Sequence, residues 1–520
     1  MILLYVIATV AALAFLLFTV IKSMHMFQLN SYKMPTHFRW LRKNGRSLLP
    51  GLAGAGAAVA VLLLGVPEVG AILIVAAVYL VLAAIQFPRK AKKPLVYTMR
   101  VIRMLVTIGL LAALCAIYCL VSFSKARFLI VLAVVSALSP LLVLAANILN
   151  KPIEQAINQY YIRDAKRILK SSRDLLTIGV TGSFGKTSVK YILHTLLQAQ
   201  FDVLKTPESY NTPMGVVKTV RGMLRATHQV FVCEMGARHV GDIKELCDLV
   251  EPRMGIITSV GPQHLETFHT IENVRKTKFE LADSLPADGT VFLNLEDANI
   301  RQHLPYVKNR VVSYGLSQQC DYYASDISAS SKGTSFTAHT PDGRSEVYTT
   351  RMVGAHNVIN IIGAIAVCCE LGIPLAKLKV QVRKLEGVPH RLQLLRRNGI
   401  TIIDDAYNSN PTGSRAAIDA LALFDGCKIL VTPGMVELGE KQDELNQAFG
   451  AYAAGVCDYV MLVGAAQTQS IYNGLISAGY PEDRIYVSED LHGALSHAYA
   501  VNSQGKEKII LLENDLPDNF

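Results

Sequence analysis

The stretch that decides the fold of this chain is Thr181-Gly182-Ser183-Phe184-Gly185-Lys186-Thr187-Ser188. A β-branched run over 176–180 precedes it, and the apolar residues over 189–197 recur with the period of a helix. Strand, glycine-rich turn and helix in this order indicate a phosphate-binding loop, in which backbone N–H groups and the helix N-terminus surround a polyphosphate. In such a loop Lys186 reaches the β- and γ-phosphates, and the hydroxyl of Thr187 binds magnesium.

Five long apolar stretches lie in the first 150 of the 520 residues, and they explain a mean hydropathy of +0.31. Each has nearly the twenty or so residues that a helix needs to cross a bilayer. A cleaved signal peptide does not fit, because the first stretch lacks a basic start and four more follow it. The sequence therefore predicts a multi-pass membrane domain over 1–150, with spans near 2–21, 48–66, 69–87, 104–123 and 128–149.

Basic residues predict the orientation of these spans, because cytoplasmic loops carry an excess of Lys and Arg. The first and third loops are rich in them, and the second has none. We therefore expect the N-terminus outside the plasma membrane and everything after residue 150 in the cytoplasm, where ATP is found. The basic residues are Lys33, Arg39, Arg42, Lys43 and Arg46 in the first loop, and Arg89, Lys90, Lys92, Lys93, Arg100 and Arg103 in the third.

The formal charge of +10 is unevenly distributed. Residues 1–175 carry 20 Lys and Arg against 4 Asp and Glu, and the remainder carries 31 against 37. The positive charge thus belongs to segments that flank the membrane, which removes the main argument for nucleic-acid binding. The nine cysteines include no C-x-x-C pair, so neither a zinc site nor a disulfide framework is indicated.

The remainder of the chain alternates strands with helices, which predicts an α/β fold with mostly parallel sheets. A polar helix over 151–174 is expected to link the membrane domain to a P-loop ATP-binding domain over 175–387. Short alternating strands over 324–350 predict an antiparallel edge of its sheet. A second α/β unit, Rossmann-like, is predicted over 388–520.

Several residues follow strands, where open α/β sheets bind ligands. Glu234 is a candidate magnesium ligand together with Thr187, and the alternative is a solvated loop carboxylate. His264 is a candidate cation ligand or a structural histidine. Asp405 is a candidate partner of ribose hydroxyls, and the alternative for this segment is helix capping by Asn408 or Asn410.

The order of these motifs identifies the chain from about residue 175 to 512 as similar to the Mur ligases, most of all to the UDP-N-acetylmuramoyl-tripeptide–D-alanyl-D-alanine ligases. Val180 fits, because that family carries an aliphatic residue where the general P-loop has glycine. The motifs are Thr181-Gly-Ser-x-Gly-Lys-Thr, Ser209-Tyr-Asn-Thr-x-x-Gly215, Glu234-Met-Gly-Ala, His264-Leu-Glu, Lys278-x-Glu280, Asn294-x-x-Asp297, His356-Asn-x-x-Asn360, Pro389-His-Arg391 and Asp405-x-Tyr-Asn-x-Asn-Pro411.

The resemblance implies an ATP-dependent amide ligase that works through an acyl phosphate. It implies two magnesium ions held by Thr187, Glu234, His264 and a carbamylated Lys278, with Lys186 and Arg391 completing the catalytic set. It further implies that nucleotide is bound by Thr181, Gly182, Ser183, Gly185, Lys186, Thr187, Ser188, Asn357, Asn360, Arg391 and Asp405. The substrate is expected at Asn211, Tyr407, Asn408 and Asn410.

The sequence departs from the family in three places. The N-terminal domain that recognises the UDP-sugar is replaced by the membrane segment. Pro433-Gly434-Met435 stands where the family has Gly-Asp-Met, and Glu513-Asn514-Asp515 stands where it has Lys-Gly-Ser. The donor is therefore expected to be an envelope-precursor carboxylate of unspecified carrier, and the acceptor an amino acid or dipeptide such as D-alanyl-D-alanine.

Other functions stay open. A polyglutamate or capsule-type ligase also combines membrane segments with a Mur-like core, and a catalytically silent membrane scaffold that senses nucleotide is a second alternative. A zinc-containing amidating ligase is disfavoured because paired cysteines are missing. A transporter is disfavoured because the apolar stretches contain almost no charged residues for a substrate path.

Overall fold

The computed structural model describes residues 1–88, 94–122, 124–172, 174–397, 399–407, 410–436 and 438–514. Within these residues the chain forms two compact units, Met1–Tyr160 and 161–514, and the boundary falls inside one long helix. Each unit has its own hydrophobic clusters.

The first unit is helical. Among the described residues, five helical segments are long and apolar enough to cross a membrane, the same number as the spans predicted from the sequence. Aromatic pairs fill the interior, with ring centroids 5.0 Å apart for Tyr5 and Phe128 and 5.6 Å apart for Phe15 and Tyr79. The helices are α1 (Ile2–Leu29), α2 (Met34–Lys43), α3 (Leu49–Leu63), α4 (Glu68–Gln86), α5 (Met99–Ser122), α6 (Lys125–Leu138) and α7 (Leu142–Ser171).

The second unit contains two sheets, and the first has nine strands in the order β2-β3-β1-β4-β5-β6-β7-β8-β9. Strands β1 to β7 are parallel to one another, and β7, β8 and β9 form an antiparallel edge, as predicted. The strands are β1 (Leu176–Thr181), β2 (Val203–Lys205), β3 (Val230–Glu234), β4 (Met254–Ile257), β5 (Thr290–Asn294), β6 (Arg310–Gly315), β7 (Tyr322–Ser330), β8 (Gly333–His339) and β9 (Ser345–Thr350).

Helices cover both faces of this sheet, so its strands are buried on both sides. Helices α8, α14 and α15 cover one face; α9, α10, α12 and the last turns of α7 cover the other. The helices are α8 (Lys186–Leu197), α9 (Pro213–Met223), α10 (Asp242–Val250), α11 (Leu265–Phe268), α12 (Ile271–Asp283), α13 (Ala298–His303), α14 (Ala355–Glu370) and α15 (Leu375–Arg383).

The second sheet has six strands in the order β10-β11-β15-β12-β13-β14, parallel except for β10. Strand β10, an edge strand that pairs antiparallel with β11, was not predicted from the sequence. The strands are β10 (Gln393–Arg397), β11 (Ile400–Asp405), β12 (Cys427–Thr432), β13 (Tyr459–Val463), β14 (Ile485–Ser488) and β15 (Lys508–Glu513), and the helices are α16 (Pro411–Ala422), α17 (Gln442–Ala453), α18 (Ala465–Ser477) and α19 (Leu491–Ala500).

The topology positions the candidate site. Strand β1 lies between β3 and β4, so the direction of winding reverses at β1. The loop after β1 therefore opens at the topological switch point, which is where open α/β sheets bind ligands.

Candidate functional site

The phosphate-binding loop follows β1 and leads into α8, as the sequence predicted. A Cβ atom on Gly182 would lie 2.0 Å from Oγ1 of Thr258, so no larger residue fits there. Gly185 has φ +76°, a left-handed conformation that favours glycine, and the side-chain oxygen of Asn360 lies against it. The glycines thus allow close packing of the loop against its neighbours.

A second loop, residues 258–261 at the end of β4, supports the first. The backbone N–H of Ser183 donates to the carbonyl of Ser259 at 2.8 Å, and that of Phe184 donates to the Ser259 hydroxyl at 2.7 Å. The Asn294-x-x-Asp297 motif holds this second loop. Asn294 donates to the Thr258 carbonyl at 2.9 Å, and Asp297 accepts from the Val260 N–H at 2.8 Å.

Lys186 lies in the first turn of α8 and folds back over the loop. Its Nζ donates to the carbonyls of Gly182 at 2.6 Å and Ser183 at 3.0 Å. Burial lowers the pKa of Lys186 to about 8, an effect that Glu234 opposes and Arg391 increases. Its ammonium is therefore held over the loop.

Glu234 ends β3 beside β1, and its side chain is 1% exposed. Its Oε1 accepts a hydrogen bond from Oγ1 of Thr187 at 3.1 Å and another from Nδ2 of Asn211 at 3.1 Å. Burial by itself raises the pKa of Glu234, but the ammonium of Lys190, helped by Lys186 and Asn211, outweighs burial and holds the pKa below its usual range. The solvated loop carboxylate weighed as an alternative is not observed.

Lys190 also belongs to the candidate site, although it was not predicted from the sequence. It is wholly buried, and its Nζ lies 2.9 Å from Oε2 of Glu234. It also donates a hydrogen bond to the carbonyl of Glu208. Its position one turn after Lys186 and Thr187, on the same side of α8, was the available signal.

Thr187 and Glu234 fit a magnesium ion. Oε2 of Glu234 is buried and receives no well-directed hydrogen bond from the described residues, although it lies near the Lys190 ammonium. Hydroxyl and carboxylate oxygens are the hard ligands that magnesium prefers, and the ion usually keeps several waters. The loop, its lysine and the N-terminus of α8 likewise fit a polyphosphate.

The structure relates His264 and Lys278 less directly to the pair of Glu234 and Thr187. His264 has φ +51° and precedes α11, and the contacts of Glu234 described above do not include it. Lys278 lies on α12 and is 2% exposed. Burial lowers the pKa of Lys278 well below its ordinary value, and Lys186 adds to this. Within the described part of the chain, no group of three or more His, Cys, Asp and Glu side chains is arranged to hold a metal.

Asn357 and Asn360 lie in the first turns of α14. Asn357 is buried, and its Nδ2 donates to the carbonyl of Val353 at 2.8 Å. Asn360 reaches the P-loop at Gly185. Of these two predicted nucleotide-binding residues, Asn360 therefore lies against the P-loop, whereas Asn357 makes a structural hydrogen bond.

Arg391 lies in the part of the second unit that contains the six-stranded sheet. Its guanidinium carbon lies 4.6 Å from the ring centroid of Tyr407, which is 44% exposed. Its charge acts on both Lys186 and Lys190 by lowering the pKa of each. The structure thus brings Arg391 into the electrostatic field of the P-loop.

Asp405 ends β11, next to Glu513 at the end of the parallel strand β15. Its Oδ1 accepts a hydrogen bond from the backbone N–H of Leu392 at 3.1 Å. Burial and repulsion from Glu513 raise the pKa of Asp405 to about 8, against the opposing effects of Leu392 and Arg391. Glu513 is wholly buried and accepts from the Thr432 hydroxyl at 3.0 Å.

The remaining predicted site residues lie in different environments. Asn410 accepts from the Gly413 N–H at 2.8 Å and caps α16, which is the alternative considered for it. Thr181 is buried and donates to the Met235 carbonyl at 3.0 Å. Ser188 is half-buried in α8. Asn408 lies outside the described residues.

The two departures from the family pattern in the second half of the unit lie against each other. Asn514 donates its Nδ2 to the carbonyl of Gly434 at 2.6 Å, and the Gly434 N–H donates to the Thr432 hydroxyl at 3.0 Å. The unusual residues therefore share one edge of the second sheet with Asp405 and Glu513. Asp515 lies outside the described residues.

Comparison with known proteins agrees with this arrangement. Residues 180–368 match the family described as the Mur ligase middle domain, and residues 390–512 match the family described as the Mur ligase, glutamate ligase domain. The two matches correspond to the two sheets of the second unit.

Two relatives with similar sequences carry the same name. The UDP-N-acetylmuramoyl-tripeptide–D-alanyl-D-alanine ligase of Bacillus subtilis is 33% identical over 277 residues, which are 53% of this chain and 59% of that protein. The Escherichia coli enzyme of the same name is 30% identical over 61% of this chain and 73% of its own length. The chain thus spans little more than half of the Bacillus relative.

Among solved structures, the MurF ligase of Thermotoga maritima in complex with ADP is similar, with a TM-score of 0.61 and 25% identity. The superposition covers 69% of this chain and 80% of that one.

Proposed function

The chain belongs to the Mur ligase family, and from this premise we propose that it is a membrane-anchored, ATP-dependent amide ligase. It adds an amino acid or a dipeptide to a carboxylate of a cell-envelope precursor. The observation that supports this most is the buried pair of Glu234 and Thr187, 3.1 Å apart beside the P-loop. Because the relatives are named for D-alanyl-D-alanine, that dipeptide is the first acceptor to test.

The reaction has two steps. An oxygen of the donor carboxylate attacks the γ-phosphorus of ATP, ADP leaves, and an acyl phosphate forms. The amine nitrogen of the acceptor then attacks the acyl carbon, phosphate leaves with its electron pair, and the nitrogen loses a proton. ATP supplies the phosphoryl group, and magnesium neutralises its charge.

The residues of this chain hold and neutralise the reacting groups. Lys186 and the N–H groups of the loop bind phosphate oxygens, and Arg391 adds a second positive charge. Thr187 and Glu234 would hold magnesium, and the ammonium of Lys190 favours the ionised form of Glu234. Asn211, which donates a hydrogen bond to Glu234 at 3.1 Å, would orient the donor carboxylate near the metal.

Lys278 is proposed to be carbamylated, which turns an ammonium into an anionic oxygen ligand for a second ion near His264. Burial lowers the pKa of Lys278, which favours the neutral amine, and only the neutral amine adds CO2. The proposal predicts an intact mass increased by one CO2 that disappears on acid treatment. An active preparation in which Lys278 is unmodified would contradict it.

The five apolar helices support insertion of the first unit in the plasma membrane, with the second unit in the cytoplasm. The full chain should therefore stay in the membrane fraction after a carbonate wash. Release into the supernatant would contradict the proposed anchor.

Phosphate release by the detergent-purified protein tests the ligase. ATP and magnesium are held constant while envelope precursors, D-alanyl-D-alanine, single amino acids and glutamate are added singly and in pairs. We expect release only with a carboxylate donor and an amine together, and none with Lys186→Ala. Lys276→Ala, which removes an exposed lysine of the same unit, is the control.

The outcomes separate the candidates. Release that needs glutamate as acceptor would favour the polyglutamate-type ligase. Nucleotide binding without stimulated release by any pair would favour the silent scaffold.

A further inference from the structure

His390 precedes Arg391 in the chain and has no part in the reaction proposed above, yet its side chain is anchored. Its Nδ1 lies 2.8 Å from Oδ2 of Asp404 in β11, and the histidine is the donor because an ionised carboxylate only accepts hydrogen bonds. Oδ1 of Asp404 accepts from the backbone N–H of Ala406 at 3.1 Å, which fixes the carboxylate in turn. The His390 side chain is 59% exposed, so the bond orients the histidine and does not bury it.

The backbone on both sides of Arg391 is left-handed. The angle φ is +59° at His390 and +49° at Leu392, a conformation that residues other than glycine rarely adopt. The Arg391 N–H donates to the carbonyl of Val388 at 2.9 Å, so the chain makes a tight turn here. Backbone of this kind persists only where neighbouring groups hold it, so the geometry of the turn depends on its contacts.

The end of β11 holds this turn from two sides. His390 is bonded to Asp404, and the backbone N–H of Leu392 donates to Oδ1 of Asp405 at 3.1 Å. Successive side chains of a strand point to opposite faces, so the two carboxylates hold the turn from opposite faces of the strand. The backbone of Arg391 is therefore fixed through the residue before it and the residue after it.

The orientation of Arg391 matters because of the groups that surround its side chain. Its guanidinium carbon lies 4.6 Å from the ring centroid of Tyr407, and its charge lowers the pKa of Lys186 in the P-loop. A guanidinium is a planar fork that must be aligned with phosphate oxygens to bind them well, unlike the compact ammonium of a lysine. Ordering so long a side chain costs entropy, and a fixed backbone reduces what remains to be ordered.

We propose that His390, through its hydrogen bond to Asp404, is a positioning residue that aims Arg391 at the terminal phosphate of ATP bound in the P-loop. His390 itself contacts no reacting group. The inference rests on the proposed function, in which Arg391 adds positive charge at the phosphoryl group that is transferred. ADP lacks that phosphate, so its binding should not depend on His390.

Nucleotide binding to the full-length protein in detergent, measured by titration calorimetry with magnesium, tests the proposal. The ligands are ADP and the ATP analogue with a β,γ-imido bridge, which resists hydrolysis. Arg391→Ala should weaken binding of the analogue about tenfold or more, because it removes charged hydrogen bonds to phosphate. His390→Ala keeps the arginine without its anchor and should weaken the analogue about three- to tenfold, with the ADP affinity within about twofold of wild type.

The double variant His390→Ala/Arg391→Ala separates positioning from an independent contribution. If His390 acts only through Arg391, the double variant binds the analogue as weakly as Arg391→Ala and no more weakly. His390→Asn should recover most of the affinity, because its amide nitrogen donates from near the position of Nδ1 and asparagine accepts left-handed backbone. His390→Gly permits that backbone without the anchor and should bind the analogue as weakly as His390→Ala.

His492→Ala is the control, because it removes an exposed histidine on α19 in the same part of the unit. It should leave both affinities as in the wild type. If His390→Ala no longer binds ADP, His390→Gln takes its place. The glutamine keeps a polar side chain but puts its amide nitrogen near the position of Nε2, away from Asp404, so it should show the same selective loss of the analogue.

The outcomes separate the inference from the function on which it rests. Equal losses of ADP and the analogue, additive losses in the double variant, or wild-type binding by His390→Gly would overturn the role of His390. An unchanged affinity for the analogue in Arg391→Ala would contradict the proposed role of Arg391, and the inference with it. The expected affinities without any stimulated phosphate release would refute only the ligase activity.

Discussion

Two carboxylates occupy equivalent positions in the two sheets of the second unit and have opposite surroundings. Glu234 ends β3, Asp405 ends β11, and each lies at the carboxyl end of a parallel strand. Burial raises the pKa of both. Cationic neighbours of Glu234 reverse that effect, whereas Glu513 reinforces it and brings the pKa of Asp405 to about 8. The end of a strand therefore places an acid at the site, and groups from other elements decide whether it is ionised.

The largest effect should come from removing the cation that balances Glu234. Lys190→Met leaves a buried carboxylate without its partner, which costs about 3–5 kcal/mol of unfolding free energy. Denaturant unfolding of the detergent-solubilised protein measures it. The double variant Lys190→Met/Glu234→Gln should lose less than the sum of the single variants, because the buried charge is gone.

Lys205→Met is the control for that prediction. Lys205 lies over the ring of Tyr191 at 4.4 Å, close to Lys190, without an ion pair among the described residues. Its loss should cost about 1 kcal/mol or less. Equal losses for Lys190→Met and Lys205→Met would mean that the ion pair with Glu234 is not what stabilises the site.

The next largest effect concerns magnesium. Glu234→Gln keeps the shape of the side chain and removes its charge, so magnesium-dependent phosphate release should fall by at least about a hundredfold. A magnesium titration should require much higher concentrations for half-maximal rate. Glu386→Gln, in an exposed pair with Arg351, should leave both values unchanged. Wild-type magnesium dependence in Glu234→Gln would remove this carboxylate from the site.

The other carboxylate predicts a pH dependence. Asp405 keeps its proton up to about pH 8 in the folded chain and loses it near pH 4 when unfolded. The folded state therefore holds an extra proton in this window, and stability should fall as pH rises through it. Glu513→Gln lowers the pKa of Asp405 and should reduce that fall, measured as unfolding free energy against pH.

Glu507→Gln is the control for the pH dependence, because Glu507 lies at the opposite end of β15 and accepts from the Thr401 hydroxyl at 2.6 Å. It should leave the slope between about pH 4 and about pH 8 as in the wild type. A slope that Glu513→Gln does not change would show that Glu513 is not the group that perturbs Asp405.

The smallest effect concerns the ring that supports Arg391. Tyr407→Leu removes the cation–π contact, worth about 0.5–1 kcal/mol at this exposure, and should raise KM for ATP about two- to fivefold. Tyr407→Phe keeps the ring and should behave as wild type. A loss in Tyr407→Phe equal to that in Tyr407→Leu would assign the effect to the hydroxyl instead.

The comparison also shows what sequence could predict. The P-loop, its strand and its helix are local features, because glycine, lysine and threonine at fixed spacing dictate the turn. The strands of both sheets were found from apolar runs, except β10, whose polar edge lacks that signal. Membrane spans were predicted from length and composition alone.

The rest depends on contacts between distant residues. From the sequence alone, Lys190 is an ordinary solvated lysine on a helix. Only in the folded chain does Glu234, at the end of β3, lie next to it. From the sequence alone, nothing indicates that the pKa of Asp405 is raised. In the fold, β15 lies between β11 and β12, and Glu513 therefore lies beside Asp405. Helical spacing indicates that Lys190 shares a face of α8 with Lys186, but no local pattern pairs Lys190 with Glu234 or Asp405 with Glu513, so the ionisation of both acids was beyond prediction from sequence.

The transfer of an oxygen atom tests the proposed reaction most directly. The donor found in the phosphate-release assay is labelled with ¹⁸O in its carboxylate and turned over with ATP and the acceptor amine. Attack of that carboxylate on the γ-phosphorus predicts one ¹⁸O in each phosphate released and one in each amide formed. Phosphate that contains no label, while amide is produced, would contradict the acyl phosphate and with it the proposed ligase mechanism.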